Sequence, residues 1–277
     1  MPQPPPRPRA AALFRPALAL LAASVWAGAL AACGADPSGP VVRHRPSLSV
    51  RADSVLRGEP ALRYTVRIGY PQLTGAAGEP VPPTVRAVNA AVRDSVEALA
   101  DAFRPDSAPP PGEVSPAYVV DVTGGYDRVL VTDDLFSALV DVYAFTGGAH
   151  GNTFFQPLTF DLTTGRPVLF ADLFASNAPA GDTLAAYVER AVVTRLARGL
   201  ETTVDSVRAH NGFFSEGLGP IREGRLAFTL GADSLRVHVP PYQLAPHVAG
   251  AFDVGVPYGA LVPFAPPGGA VRRLAER

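Results

Sequence analysis

His150 stands within Gly147-Gly148-Ala149-His150-Gly151, where the glycines allow positive φ and can present an imidazole at the end of a strand. An imidazole so placed suits proton transfer, while the same glycines also suit a tight turn or bulge that the histidine caps. Asp133-Asp134 pairs two acids, as a metal-dependent deacetylase would need, but no His-x-x-x-His accompanies it and a solvated turn between strands explains it. His238 and His247 flank a Pro-rich loop, a spacing that permits joint ligation without requiring it. Asp161 and Asp172 read as turn formers. The chain has no Gly-x-Ser-x-Gly, no Ser-x-x-Lys and no His-Glu-x-x-His. No catalytic residue, metal set or cofactor is therefore assigned, and the candidate motif is Gly147, Gly148, His150 and Asp161, functional or structural. Tyr118, Tyr126, Tyr143, Phe145, Phe154 and Phe155 surround it and could stack on sugar rings or anchor a protein if they face outward; packing in the core is the other reading.

The only cysteine, Cys33, closes Leu30-Ala31-Ala32-Cys33 after a basic segment (Arg7, Arg9, Arg15) and an apolar run over residues 17–30. This is the pattern of a lipobox. It predicts that residues 1–32 are a signal peptide, that the Cys33 thiol takes a diacylglyceryl group, and that the new amino terminus is acylated. The apolar run is shorter than the roughly 20 residues a spanning helix needs. Residues 33–46 then form a lipidated tether, and Gly34 after the cysteine points to an outer membrane if the cell has two. The expected location is a bacterial cell envelope, with the protein held to a membrane by acyl chains.

Removing three arginines and no acid takes the formal charge from −1 to −4, which argues against nucleic acid as a partner. With its one cysteine lipidated, the folded part has neither disulfide nor thiolate, and packing must hold it.

The elements follow from periodicity. Leu62, Tyr64, Val66, Ile68 and Tyr70 alternate with polar residues as a half-buried strand that Pro71 ends. Val85, Val88, Val92, Val96, Leu99 and Phe103 place one apolar stripe on a helix, with Thr84 as N-cap and Pro105 as its stop. Extended runs follow at 118–122, 128–132 and 135–145, the last apolar on both faces and so central. Strand structure resumes at 154–162, and Thr163-Thr164-Gly165 turns into 167–170. Leu184, Val188, Val192 and Leu196 mark a second helix ending at Gly199. Residues 225–230 and 235–239 form a hairpin, and 252–256 a last strand. The fold class is α+β, a mainly antiparallel sheet with two principal helices packed on it.

Tyr70-Pro71-Gln72-Leu73 with Asn89, Tyr143 through Gly151, Phe160 through Arg166, Asp172-Leu173-Phe174 and Tyr242 through Gly250 together resemble an extracytoplasmic module. That module is shared by RsiV-type anti-sigma factors and PdaC-type peptidoglycan deacetylases. The resemblance spans roughly 47–264, divided into an N-terminal part (47–145) and a C-terminal part (146–264) that carries the Gly-Gly-Ala-His motif, with 265–277 a flexible tail. In the anti-sigma relatives a sigma-binding segment and a transmembrane helix precede the module, and in the deacetylase relatives a catalytic domain follows it. Here a signal peptide and tether stand in front and no such domain is expected behind. The resemblance thus implies the accessory part, which binds lysozyme in the anti-sigma relatives. The expected function is a non-catalytic binding module for a lysozyme-like protein or a peptidoglycan fragment. The alternatives are an envelope hydrolase or deacetylase that uses His150 with nearby acids, and an envelope scaffolding lipoprotein.

Overall fold

The computed structural model describes residues 42–43, 48–113, 115–175, 179–209 and 212–277. Cys33, the signal segment 1–32 and most of the tether lie outside them. Among the described residues no helix is long and apolar enough to cross a membrane.

A two-residue strand β1 (Val42–Arg43) precedes the long hairpin of β2 (Leu48–Glu59) and β3 (Tyr64–Gly75), antiparallel along its whole length. Helix α1 (Pro83–Ala102) then returns the chain to β4 (Val120–Val131), which runs parallel to β3. β5 (Leu135–Phe145), β6 (Asn152–Asp161) and β7 (Arg166–Pro167) follow antiparallel, so the sheet order is β2-β3-β4-β5-β6-β7, with β1 beside the far half of β4. After α2 (Phe170–Leu173), α3 (Ala180–Gly199), α4 (Val204–Ala209) and α5 (Gly219–Arg222) comes a second sheet. It consists of β8 (Ala227–Leu230), β9 (Ser234–Val239) and β10 (Phe252–Pro257), ordered β10-β9-β8, and α6 (Tyr258–Leu261) and α7 (Ala270–Ala275) close the chain. The architecture is α+β with a large, mostly antiparallel sheet, as the periodicities predict.

The α1 stripe does what its spacing demands: Val85, Val88, Val92, Val96 and Ala100 are buried against β3 and its neighbours. The helix starts at Pro83 rather than after Thr84, because proline at the first position needs no hydrogen-bond partner for its nitrogen. Pro71 does not end β3. Pairing with β4 stops at Ile68, so beyond it β3 has a partner strand on one side only, where a sheet tolerates proline. Asn89 of α1 supplies the missing partner: its side chain accepts from Leu73 N and donates to Leu73 O, both at 2.8 Å. Residues 118–122 and 128–132 are not separate runs but one strand, bent by a bulge between Asp127 and Leu130 where Arg128 takes φ +53°.

Residues 265–277 are folded rather than a flexible tail. Val271 and Leu274 of α7 are buried, Arg273 Nε donates to Asp134 at 2.6 Å, and Arg277 Nη2 donates to the same carboxylate at 3.2 Å. Asp133-Asp134 is thus a turn whose second acid anchors the C-terminus. The two cores also divide later than 145/146: one gathers residues between Leu48 and Leu162, the other residues mainly beyond Leu173, with Leu130 and Leu135 joining the second.

Side chains reach between the sheets. Ser137 Oγ of β5 accepts from Leu230 N of β8 at 2.9 Å and meets Thr159 Oγ1 at 2.9 Å. The bulge aims Arg128 at Asp253 of β10 (2.7 Å), which also accepts from Arg236 of β9 (2.9 Å). Burial raises the Asp253 carboxyl, but the Arg236 and Arg128 bonds outweigh it and hold the acid below its usual range. Asp253→Ala removes the shared acceptor of two half-buried guanidiniums, leaving Arg128 only Asp127 at 3.4 Å. The expected loss is about 2 to 3 kcal/mol, less than the ~3 to 5 of a fully buried pair because these side chains keep 26 to 33% of their exposure. Urea titration measures it; a loss below about 0.5 kcal/mol, the size of a surface pair, would show that the network does not hold the sheets.

Candidate functional site

The glycine-rich turn after β5 needs its glycines for separate reasons. Gly147 and Gly148 both adopt φ +90°, and a Cβ on Gly147 would lie 2.5 Å from the Ala117 carbonyl oxygen. At Gly151 an added Cβ would stand 2.6 Å from the Tyr143 ring, and the bare backbone instead lets Gly151 N donate to the Tyr143 hydroxyl at 2.8 Å. The turn therefore holds His150 outward, exposed, beside Tyr143, which is itself 48% exposed. Tyr118, next to Ala117, is exposed as well.

A second segment meets this turn. Leu244 and Ala245 are buried, and Phe214 N donates to Leu244 O at 2.9 Å, which pins the connection between β9 and β10. On either side of that anchor, Tyr242 and His247 come to the surface. Tyr242, at φ +70° and 53% exposed, is a left-handed non-glycine residue, a conformation that costs about 1 kcal/mol or more and holds the ring out. The His150 and His247 rings stack with centroids 3.9 Å apart and planes inclined by 18°, and Tyr242 lies 5.2 Å from His247. His150 Nδ1 donates to the Gly151 carbonyl at 3.0 Å, which leaves Nε2 as acceptor for the Tyr242 hydroxyl at 3.4 Å.

Asp161 is not part of this group. It sits at the far end of β6, about 30 Å away at ~3.3 Å per residue, and its carboxylate caps the Thr163-Thr164 turn at 2.7 and 3.0 Å. Burial pushes that carboxyl up, and the bonds from Thr163 and Thr164 bring it below its ordinary value. Asp172 accepts from Leu169 N at the start of α2. Of the expected ring cluster, Tyr143, Tyr118 and Phe154 are exposed, Phe154 edge-on to Phe103 at 5.1 Å, while Tyr126, Phe145 and Phe155 are half-buried.

His238 and His247 have different fates. His238 is 2% exposed, shares a 2.8 Å hydrogen bond with Thr229 Oγ1 and faces Asp253 at 3.7 Å. Burial lowers its pKa to about 4 despite that carboxylate, whose charge the two arginines already engage. Nearby, burial pushes Asp127 and Asp141 above their ordinary values, and one Asp127 oxygen has no hydrogen-bond partner among the described residues. No three His, Cys, Asp or Glu gather around a metal-sized space among the described residues.

Residues 171–259 match the family DUF3298, described as a protein of unknown function. The matched segment is less than half of the chain. It carries Tyr242, His247 and His238, whereas Tyr143 comes from β5 and His150 from the turn after it, so the ring group spans the edge of the matched segment. No curated protein matches the chain. A DUF3298-family protein of Bacteroides fragilis is similar in structure over 83% of this chain and 99% of its own, with 16% identity and a TM-score of 0.55. That likeness shows a shared fold. A DUF3298-family protein of Pseudomonas aeruginosa is similar over 79% of this chain and 94% of its own, with 17% identity and a TM-score of 0.48.

The meeting of His150 with Tyr242 and His247 is not readable from spacing, since 97 positions separate the two histidines. The resembling segments Tyr143 to Gly151 and Tyr242 to Gly250 were the available signal, each opening on a tyrosine, closing on a glycine and holding a histidine between.

Proposed function

We propose that this chain is a non-catalytic binding module of the bacterial cell envelope, held to a membrane through acylated Cys33, with His150, His247, Tyr242 and Tyr143 as its recognition surface. The observation that carries the reading is the ring stack itself. Exposed His150, Tyr242 and Tyr143 stand with half-buried His247, fixed by glycine turns and a left-handed tyrosine, and among the described residues no carboxylate hydrogen-bonds to either imidazole. Cavities of about 340 to 670 Å³ are lined by other residues, so the surface offers stacking faces and hydroxyls rather than an enclosed reaction site. Rings of this kind suit the faces of sugars or a pocket on a protein partner. The resemblance to the module of RsiV-type and PdaC-type proteins supports a lysozyme-like protein or a peptidoglycan fragment as the ligand.

The test is calorimetric titration of the full chain with lysozyme and with soluble peptidoglycan fragments. Binding to one of them is expected, and Tyr242→Ala and His247→Ala should each weaken it by roughly tenfold or more, about 1.4 kcal/mol, as central aromatic anchors do. Binding to neither, or turnover of the glycan, would remove the reading.

A further inference from the structure

About half of the arginines of this fold are paired with acids. Arg57, Arg104, Arg128, Arg208, Arg222, Arg225, Arg236 and Arg273 each lie within 4.0 Å of a carboxylate. Arg190, Arg195 and Arg198 of α3 do not. Among the described residues none of the three forms an ion pair, although all are exposed; of the acids near them in the chain, Asp182 pairs with Arg222 and Glu189 with Arg208, and exposed Glu201 forms no ion pair with them.

Two of these guanidiniums, those of Arg190 and Arg195, are nevertheless held. Arg190 lies over the Tyr187 ring at 4.5 Å; Arg195 lies over Phe252 at 4.7 Å and donates to Ala251 O at 3.0 Å and Ala249 O at 3.4 Å. Aromatic faces and carbonyls position a cation without cancelling its charge. Together with Thr194 the three arginines line one groove of about 670 Å³ between α3 and β10, floored by Tyr187, Val254 and Pro257. Arg190 and Arg198 are one helical turn to either side of Thr194, about 12 Å apart along the axis, and long side chains from both can close on the hydroxyl between them.

We propose that this groove binds a phosphate-bearing ligand. Three guanidiniums and a hydroxyl exceed what one carboxylate can accept, whereas a phosphate brings three terminal oxygens and up to two negative charges, and arginine forks match its geometry. The chain's formal charge is −1, so the concentration of unneutralised charge here runs against the composition of the whole. The phosphate can arrive on a soluble molecule or on a lipid headgroup, and the two sources are separable. The groove uses none of the residues of the ring surface, so either assignment can fail without the other.

The full chain is titrated with inorganic pyrophosphate, with citrate as a carboxylate of comparable charge, and with vesicles of phosphatidylcholine with and without phosphatidylglycerol. Saturable pyrophosphate binding is expected, weakened roughly tenfold or more in Arg190→Ala/Arg198→Ala and unchanged in Arg51→Ala, since charge-assisted bonds are lost only in the first. Vesicle binding that requires phosphatidylglycerol and is lost in the same double variant, without pyrophosphate binding, assigns the phosphate to a headgroup. Both positions are exposed, so the variant should fold, and an unchanged thermal melt verifies it. The proposal is overturned by binding to neither probe, by binding that survives the double substitution, or by citrate binding as tightly as pyrophosphate.

Discussion

Between pH 6.5 and pH 4 the fold is expected to lose about 3 kcal/mol of stability through His238 alone, and His238→Gln should remove most of that slope. The buried imidazole is neutral in the folded chain down to about pH 4, while in the unfolded chain it takes a proton near 6.5. Within that window the unfolded state binds more protons, so stability is complete above 6.5 and falls as the pH drops. The physical cause is burial: the ring is 2% exposed, lies against Phe155 at 5.8 Å, and uses its Nε2 on Thr229. Asp253 cannot rescue the cation because Arg128 and Arg236 already engage its oxygens. The lowered carboxyl of Asp253 acts further down, below its ordinary 3.8, so its contribution is lost only in stronger acid. Asp127 and Asp141, held high by burial, bind protons more readily when folded and offset part of the loss near the acidic end. Glutamine can still bond Thr229 but does not titrate. Urea midpoints measured from pH 7 to pH 4 decide the matter: equal slopes in the parent and His238→Gln would sink the assignment.

Gly217→Ala is expected to destabilise the protein by about 3 kcal/mol and to abolish ligand binding at the ring surface. A Cβ there would stand 1.9 Å from the Gln243 carbonyl oxygen and 2.9 Å from Leu244 Cδ2, so backbone must move against backbone. Gln243 also donates from Nε2 to Gly217 O at 2.9 Å, which makes the contact two-sided. The displaced segment is the one that holds Tyr242 and His247 on either side of buried Leu244 and Ala245. A loss of this size lowers the melting temperature of a domain this long by roughly 6 to 12 °C. Gly148→Ala is the informative contrast, because its φ of +90° is strained for alanine but open space surrounds it. It should cost about 1 to 2 kcal/mol. A Gly217→Ala protein that melts like its parent would show that the loop yields without strain.

Much of the fold could be read from local pattern. The valines of α1 and the Leu184, Val188, Val192, Leu196 stripe of α3 lie where their spacing places them, and β5, apolar on both faces, sits between β4 and β6. β2 escaped because its middle, Arg51 to Ser54, is exposed and does not alternate; it is a strand only because β3 pairs with it residue for residue. The folded C-terminus escaped for a related reason. Six residues of α7 carry too short a pattern to mark a helix, and only the Asp134 anchor and the pocket for Val271 and Leu274 give it a place.

The candidate site divides along the same line. Residue types alone showed that the Gly147 to Gly151 turn could take positive φ, as Gly147 and Gly148 do, and that the sequence has no Gly-x-Ser-x-Gly, Ser-x-x-Lys or His-Glu-x-x-His, because both are properties of a few adjacent residues. Which ring would stand beside His150 was decided by tertiary structure, which carried the β9–β10 connection across to the β5–β6 turn and left Asp161 at the opposite end of its strand. Periodicity reports which face of an element meets a core. It holds no record of which distant turn shares the surface, and there the packing of one sheet on the other chose the neighbours.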